Sequence, residues 1–214
     1  MFTIGYVPKF TLQHRPMLTL PESVEIYSVA NAEGVQAELQ ELTRELAGKL
    51  DGTWWSIPVS KAVREKEGDH HWKWRKLVGE IRQKAAWDSL GIVCEDTVQG
   101  AMLFRVDAKS SLEPGEGAVY VDRLSTAPTN RPWLCDPPNY RGIGTVLMLA
   151  AVRSSYSLGL KGRVRLESLP SEKTREFYDN RGFTVIKQDA DGMIDYELPA
   201  ASADQWLRDE GYLK

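Results

Sequence analysis

The chain has 214 residues, enough for one domain with a full core, or for one domain with an elaborated end. Hydrophobic residues make up 42% and charged residues 27%, ordinary values for a soluble globular protein, and the formal net charge of −3 argues against a dedicated nucleic-acid binder. No apolar run approaches the roughly 18 residues of a membrane span, no basic-then-apolar leader opens the chain, and Cys94 and Cys135 form neither a metal spacing nor a disulfide framework, so a cytoplasmic protein with reduced thiols is expected.

Residues 1–30 alternate apolar runs with Pro8, Pro16 and Pro21 and end in a predicted strand, Val24 to Val29. Asn31 then has the character of an N-cap, and Val35, Leu39, Leu42, Leu46 and Leu50 recur at steps of three and four, which predicts one amphipathic core helix ended by Gly52. Trp54 to Pro58 reads as extended and Lys61 to Asp69 as a charged, exposed stretch. A second helix is expected over 70–85, opened by His70-His71-Trp72-Lys-Trp74, with Trp74, Leu77, Val78, Ile81 and Ala85 as its buried stripe. The adjacent histidines point about 100° apart on a helix and have no acidic or cysteine partner at metal spacing, so no metal is expected. His71, Trp72 and Trp74 have two readings, a pocket lining and plain packing.

Ser89–Cys94 and Gln99–Val106, joined by Glu95 to Val98, read as a β-hairpin. After a Ser, Gly, Pro and Glu-rich loop at 109–117 comes a third strand, Ala118 to Thr126, stopped by Pro128. The loop from Thr129 to Tyr140 holds Asn130, Arg131, Trp133 and Cys135, more specific chemistry than a linker needs. It leads to Asn139-Tyr-Arg-Gly-Ile-Gly-Thr-Val-Leu147, two glycines directly ahead of a helical run to Tyr156. Glycine admits close backbone approach, and a helix starting there offers unpaired N–H groups and a positive dipole end, which suits phosphate; the same pattern also serves as a tight turn. A strand at 163–169 follows, then a short helix capped by Ser171 and carrying Phe177 and Tyr178, then strands Phe183–Ile186 and Met193–Leu198. A helical tail is expected from Ala203 to Lys214.

Three anchors, Val121-Asp-Arg-Leu-Ser-Thr126, Arg141-Gly-Ile-Gly-Thr-Val-Leu147 and Glu176-Phe-Tyr-Asp-Asn-Arg-Gly-Phe183, stand in an order that resembles the GNAT superfamily of N-acetyltransferases. The likeness covers roughly the last 95 residues. It departs from the family at Asn139, where Gln or Arg is usual, with Arg141 able to supply the charge, and in the longer loop 129–139. The Ala127-Pro-Thr-Asn-Arg-Pro132 loop, together with His71-Trp-Lys-Trp74, looks like one bacterial branch of the superfamily.

The resemblance implies an α/β (α+β) acyl-CoA N-acyltransferase fold, a mixed twisted central sheet flanked by helices. It divides one domain, 1–214, into an N-terminal part at 1–117 with acceptor-site elements, an acetyl-CoA-binding core at 118–198 and a tail at 199–214. It implies acetyl-CoA as cofactor, with the diphosphate on Asn139, Arg141, Gly142, Ile143, Gly144 and Thr145. The pantetheine would lie on backbone groups of Leu124 and Thr126 where the central sheet splays, and one N–H near Leu124 or Ser125 would face the thioester oxygen. Ser171 and Phe177 join this set.

An amine of pKa about 10.4 is neutral in only about 1 part in 2,000 at neutral pH, a deficit of roughly 4.6 kcal/mol, and a carboxylate near the amine can accept that proton, directly or through water. Asp122 is the expected base, on the same face as Leu124 by strand alternation, with Glu167 its rival, and Tyr178 resembles the family's donor to the leaving thiolate. The acceptor site is expected from His71, Trp72, Trp74, Asn130 and Glu167. The reading is N-acetylation of a small-molecule or peptide primary amine by direct attack in a ternary complex, since neither cysteine sits beside an obvious base. Two alternatives stand beside it: a non-catalytic acyl-CoA-binding module, and a toxin-like acetylase of aminoacyl-tRNA using Lys73, Arg75, Lys76, Arg82 and Lys84. A homodimer is left open; no membrane partner is expected.

Overall fold

A computed structural model of the protein describes residues 20–169 and 172–213. Pro8, Pro16 and Ser171 lie outside the described residues. The chain runs through β1 (Glu22–Ser28), β2 (Glu33–Glu41), α1 (Arg44–Thr53), α2 (Lys61–Arg64), α3 (Trp74–Ile81), β3 (Trp87–Cys94), β4 (Thr97–Lys109) and β5 (Gly117–Thr126). It continues through β6 (Tyr140–Arg141), α4 (Ile143–Ser157), β7 (Val164–Ser168), α5 (Glu172–Asp179), β8 (Thr184–Gln188), β9 (Ile194–Leu198) and α6 (Ala200–Asp209). Among the described residues the strands form one sheet in the order β6-β1-β2-β3-β4-β5-β7-β9-β8, antiparallel except where β5 meets β7.

The sheet separates two apolar cores, and β4 shows how. Met102 and Phe104 point into the core beneath α4 and α6, whereas Ala101 and Leu103 point into the core beneath α1 and α3, as the two-residue period of a strand requires. Each core is therefore built from one face of the same strands.

The single helix expected from Asn31 to Leu50 is corrected. Its first half is β2, because Val35, Ala37 and Leu39 alternate with Gln36, Glu38 and Gln40, and that alternation lets β2 pair with both β1 and β3. Asn31 lies in the β1–β2 turn, and the helix cap is Thr43, whose Oγ1 accepts the Leu46 N–H at 3.2 Å. The helix expected over 70–85 is shorter than its periodicity. It begins at Trp74 because the Asp51 carboxylate, carried by α1, accepts the N–H groups of Trp74 and Arg75 at 2.9 and 3.1 Å. The tail helix starts at Ala200, three residues earlier than expected. The hairpin of β3 and β4, the strand β5 and, apart from the two-residue β6, the order of elements from β5 to β9 match the sequence reading.

Candidate active site

The opening lies between β5 and β7. They pair only at Val119↔Val164, Tyr120↔Arg165 and Val121↔Leu166, although β5 runs on to Thr126 and β7 to Ser168. On its other side β5 stays paired with β4 as far as Gly100↔Thr126. The Ala127 N–H reaches the Gln99 carbonyl at 2.8 Å, so by antiparallel alternation Ser125 turns its backbone toward β4, while Leu124 and Thr126 turn theirs to the open side. Of the two residues expected to face a thioester oxygen, only Leu124 presents its N–H to the gap.

The hydroxyl of Ser125 is spent within the protein: it donates to Asp69 and accepts from Arg131 Nη2 at 2.8 Å. The Thr126 carbonyl accepts from Arg131 Nε and Nη2 at 3.2 and 2.7 Å. Among the groups expected to pair with a pantetheine arm, the Leu124 amide and the Thr126 N–H remain available on the open edge.

A glycine explains where α4 begins. A Cβ on Gly100 would stand 2.4 Å from Ile143 Cγ2 and 3.0 Å from Leu147 Cδ1, so the first turn of α4 is pressed onto β4 opposite Thr126. The loop before it is buckled by Asn130, whose Nδ2 donates to Gln99 Oε1 at 3.0 Å and whose Oδ1 accepts the Tyr140 N–H at 3.0 Å. Asn130, expected in the acceptor pocket, thus has its amide engaged in holding the glycine turn. Asn139 joins the same buckle through backbone bonds to Thr129 and Val29.

Gly142 is the N-cap of α4 at φ 88°, left-handed backbone that glycine adopts without cost, and no side chain caps the helix. A Cβ at Gly142 would meet nothing within 4 Å, and at Gly144 only the Phe177 ring at 3.9 Å. The first turn thus has no side-chain cap on a helix whose dipole favours an anion. Arg141 is exposed beside the turn.

The sequence reading missed Arg181. Its guanidinium donates to Thr145 Oγ1 at 2.8 Å and to the Phe177 carbonyl at 2.9 Å and lies 3.8 Å over the Phe177 ring. Accepting there leaves the Thr145 hydroxyl proton free to donate. Arg181 stands three residues after Tyr178 within the third anchor, the one signal that could have marked it.

Tyr178 is buried, its ring 5.2 Å from Phe177, 5.1 Å from Phe183 and 5.2 Å from Tyr196. Burial, reinforced by the neighbouring Tyr196, pushes its phenol above the usual value, so the hydroxyl stays protonated at any working pH.

The other face of the opening carries the carboxylates. Asp122 is the extra residue of a β-bulge, since Arg123 pairs with Leu103 and Val121 with Phe104. The bulge breaks the alternation that was expected to put Asp122 beside Leu124. Arg123, opposite Leu103, faces the α1–α3 side, and its Nη1 lies 3.2 Å from Asp122 Oδ2. Tyr120 is half-buried on that side, and its phenol is raised by burial and then by the charges of Glu167, Asp122 and Asp195, with Arg165 opposing them. Asp122 and Glu167, named as rivals, therefore act on one point. Asp195 lies beside Glu167 across β7 and β9 and pairs with Arg165 at 2.8 Å.

The segment before α3 crosses this opening. Gly68 abuts Leu169 just beyond β7, where a Cβ would stand 2.7 Å from Leu169 Cδ1, while Asp69 bonds Ser125 on β5. Trp72 is half-buried with the Arg123 guanidinium 5.0 Å over its ring, and His71 is exposed. Trp74 is elsewhere: at 2% exposure it is core, edge-on to Trp54 at 6.1 Å. Of the basic residues after Trp72, Lys76 pairs with Glu80 at 3.8 Å and Lys84 lies 5.1 Å over the Trp87 ring. Among the described residues no helix is long and apolar enough to cross a membrane.

No family model and no curated protein sequence matches the chain. Solved structures do. The GNAT domain of S. lividans PAT aligns with a TM-score of 0.58 at 14% identity, over 83% of this chain and 96% of its own. An acetyltransferase from Thermus thermophilus aligns at 0.54 and 14% identity, over 76% and 96%. PaiA N-acetyltransferase from Thermoplasma acidophilum, solved in complex with coenzyme A, aligns at 0.51 and 18% identity, over 76% and 98%. At these identities the likeness is one of architecture: the chain has the acyl-CoA N-acyltransferase fold of the GNAT acetyltransferases, a mixed twisted sheet flanked by helices.

Proposed function

We propose that the protein is an N-acetyltransferase that moves the acetyl group of acetyl-CoA to a primary amine in a ternary complex. One observation carries the reading: an uncapped, glycine-opened helix N-terminus is pressed against the strand pair that ends at the β5–β7 opening. The coenzyme A held by the PaiA relative supports the choice of cofactor. Acetyl-CoA supplies the acyl group as a thioester.

The chain's own residues divide the remaining work. The N–H groups of the first α4 turn, with Arg141, Arg181 and the Thr145 hydroxyl, bind the diphosphate. The Leu124 amide and the Thr126 N–H hold the extended arm, and the Leu124 N–H faces the carbonyl oxygen as charge develops on it. Tyr178 delivers a proton to the departing sulfur. The acceptor enters from the α1–α3 face, past Trp72 and His71, where Asp122 or Glu167 takes the ammonium proton directly or through water.

The test is acetyl transfer to a panel of small-molecule and peptide amines, with Asp122→Asn, Glu167→Gln and Tyr178→Phe beside the wild type. Turnover by the wild type is expected, with one carboxylate variant losing the acid limb of the pH–rate profile. Acetyl-CoA binding without transfer to any amine would instead identify a non-catalytic binding module.

A further inference from the structure

The Ala127–Pro132 loop and the stretch just before His71-Trp-Lys-Trp74 are joined through one side chain. Arg131 is 6% exposed, and all of its guanidinium nitrogens are engaged. Nη1 donates to Glu67 Oε2 at 2.6 Å and to Asp69 Oδ1 at 2.9 Å, and Nη2 donates to Asp69 Oδ2 and to Ser125 Oγ at 2.8 Å. Nε and Nη2 both reach the Thr126 carbonyl, and the Trp55 ring lies 5.4 Å from the guanidinium carbon. Trp133 Nε1 fastens the far side of Glu67 at 2.8 Å.

Stability alone accounts poorly for this arrangement. Burying a guanidinium and two carboxylates carries a desolvation cost that their attraction offsets only in good geometry, and apolar residues of similar volume often serve as well. What an apolar residue cannot do is cap the Thr126 carbonyl. That carbonyl faces the open edge of β5, the edge an extended amide arm joins under the acyl-CoA reading. Arg131 Nε donates to it, Nη2 shares its two protons among it, Asp69 and Ser125, and the Ser125 hydroxyl lies 3.4 Å away, so the carbonyl is covered against a further donor. An arm amide N–H is left one acceptor, the Leu124 carbonyl, and an arm carbonyl one matching donor, the Thr126 N–H, which is the spacing of a single β-bridge.

We propose that Arg131 is a positioning residue for the acyl-CoA arm: by capping Thr126 O it leaves the open edge of β5 one pairing register, and thereby fixes how deep the thioester lies in the opening. The proposal rests on the acyl-CoA reading and adds to it a residue that touches neither cofactor nor acceptor. Asp69 and Glu67 hold the guanidinium, and Ser125 completes its cage.

The test compares two ligands by calorimetry. Acetyl-CoA carries the pantetheine arm; 3′,5′-ADP has the nucleotide and phosphates without it. The variants are Arg131→Met and Arg131→Lys, the latter keeping the charge but lacking the fork that spans a carbonyl and two carboxylates. For both, acetyl-CoA binding is expected to weaken about tenfold or more while 3′,5′-ADP binding stays within about twofold of wild type. Arg131→Lys keeps the question open to measurement should Arg131→Met fold poorly. Equal loss for both ligands, or no loss for either in a folded variant, would overturn the positioning role and leave the acetyl-CoA site standing. Failure of the wild type to bind acetyl-CoA would overturn the site and this role with it.

Discussion

Gly144 isolates the cofactor claim from the fold. A methyl group there meets only the Phe177 ring at 3.9 Å, an ordinary contact, and alanine is a better helix former than glycine by about 1 kcal/mol. Gly144→Ala is therefore expected to hold or raise the melting temperature while weakening CoA binding about tenfold or more, read by calorimetry beside thermal melting. Unchanged CoA affinity would remove the α4 N-terminus from the site. Tyr178→Phe keeps the ring among Phe177, Phe183 and Tyr196 and deletes only the hydroxyl. It should lower kcat by about 10² to 10⁴ while acetyl-CoA affinity moves little; a loss confined to KM would make Tyr178 a packing residue. At this scale the sequence was informative where function is local, because two glycines before a helix and a tyrosine before Gly182-Phe183 need no distant partner to be recognised. Arg131 and Arg181 were opaque for the opposite reason. Arg131 meets Asp69 across 62 residues and Arg181 meets Thr145 across 36, separations that no local pattern encodes.

At the scale of elements, the strap through Asp69 has a pH signature. Burial by itself raises the Asp69 carboxyl, but the hydrogen bonds and charge of Arg131 and the Ser125 hydroxyl outweigh it and hold the group below its ordinary 3.8. An acid lowered in the folded state stabilises the fold above its unfolded value and loses that contribution as pH falls through the folded one. Asp69→Asn should cost roughly 3 kcal/mol at neutral pH. Chemical denaturation should show that gap constant down to about pH 4 and shrinking below it. A gap independent of pH would mean that Asp69 is not held ionised by Arg131. Elements also show why one stretch misled: Val35, Leu39 and Leu42 satisfy a helical period, while Val35, Ala37 and Leu39 satisfy a strand period equally well. Pairing with β1 and β3 decided between them, and pairing is a tertiary fact. The bulge at Asp122 escaped the sequence likewise, since an extra residue in a ladder is visible only against the partner strand.

For the whole molecule, the sheet is the organising device. It holds α4 and α6 on one core and α1 and α3 on the other, and β5 and β7 stop pairing beyond Val121↔Leu166. A cofactor on the α4 side and an acceptor on the α1–α3 side would meet there, with Tyr178 and Leu124 on the first side and Asp122, Glu167 and Tyr120 on the second. This division follows from alternation along β5 together with its bulge, and it explains why the second half of the chain is the more legible: it carries the proposed cofactor side, whereas the proposed acceptor side is assembled from both halves. The most direct test is a crystal structure of the full chain with CoA. The diphosphate is expected on the N–H groups of residues 142–145, with the pantetheine along the open edge of β5 at Leu124 and the sulfur beside Tyr178. A cofactor bound anywhere else, or lying across β5 with its diphosphate away from Gly142 and Gly144, would contradict the account.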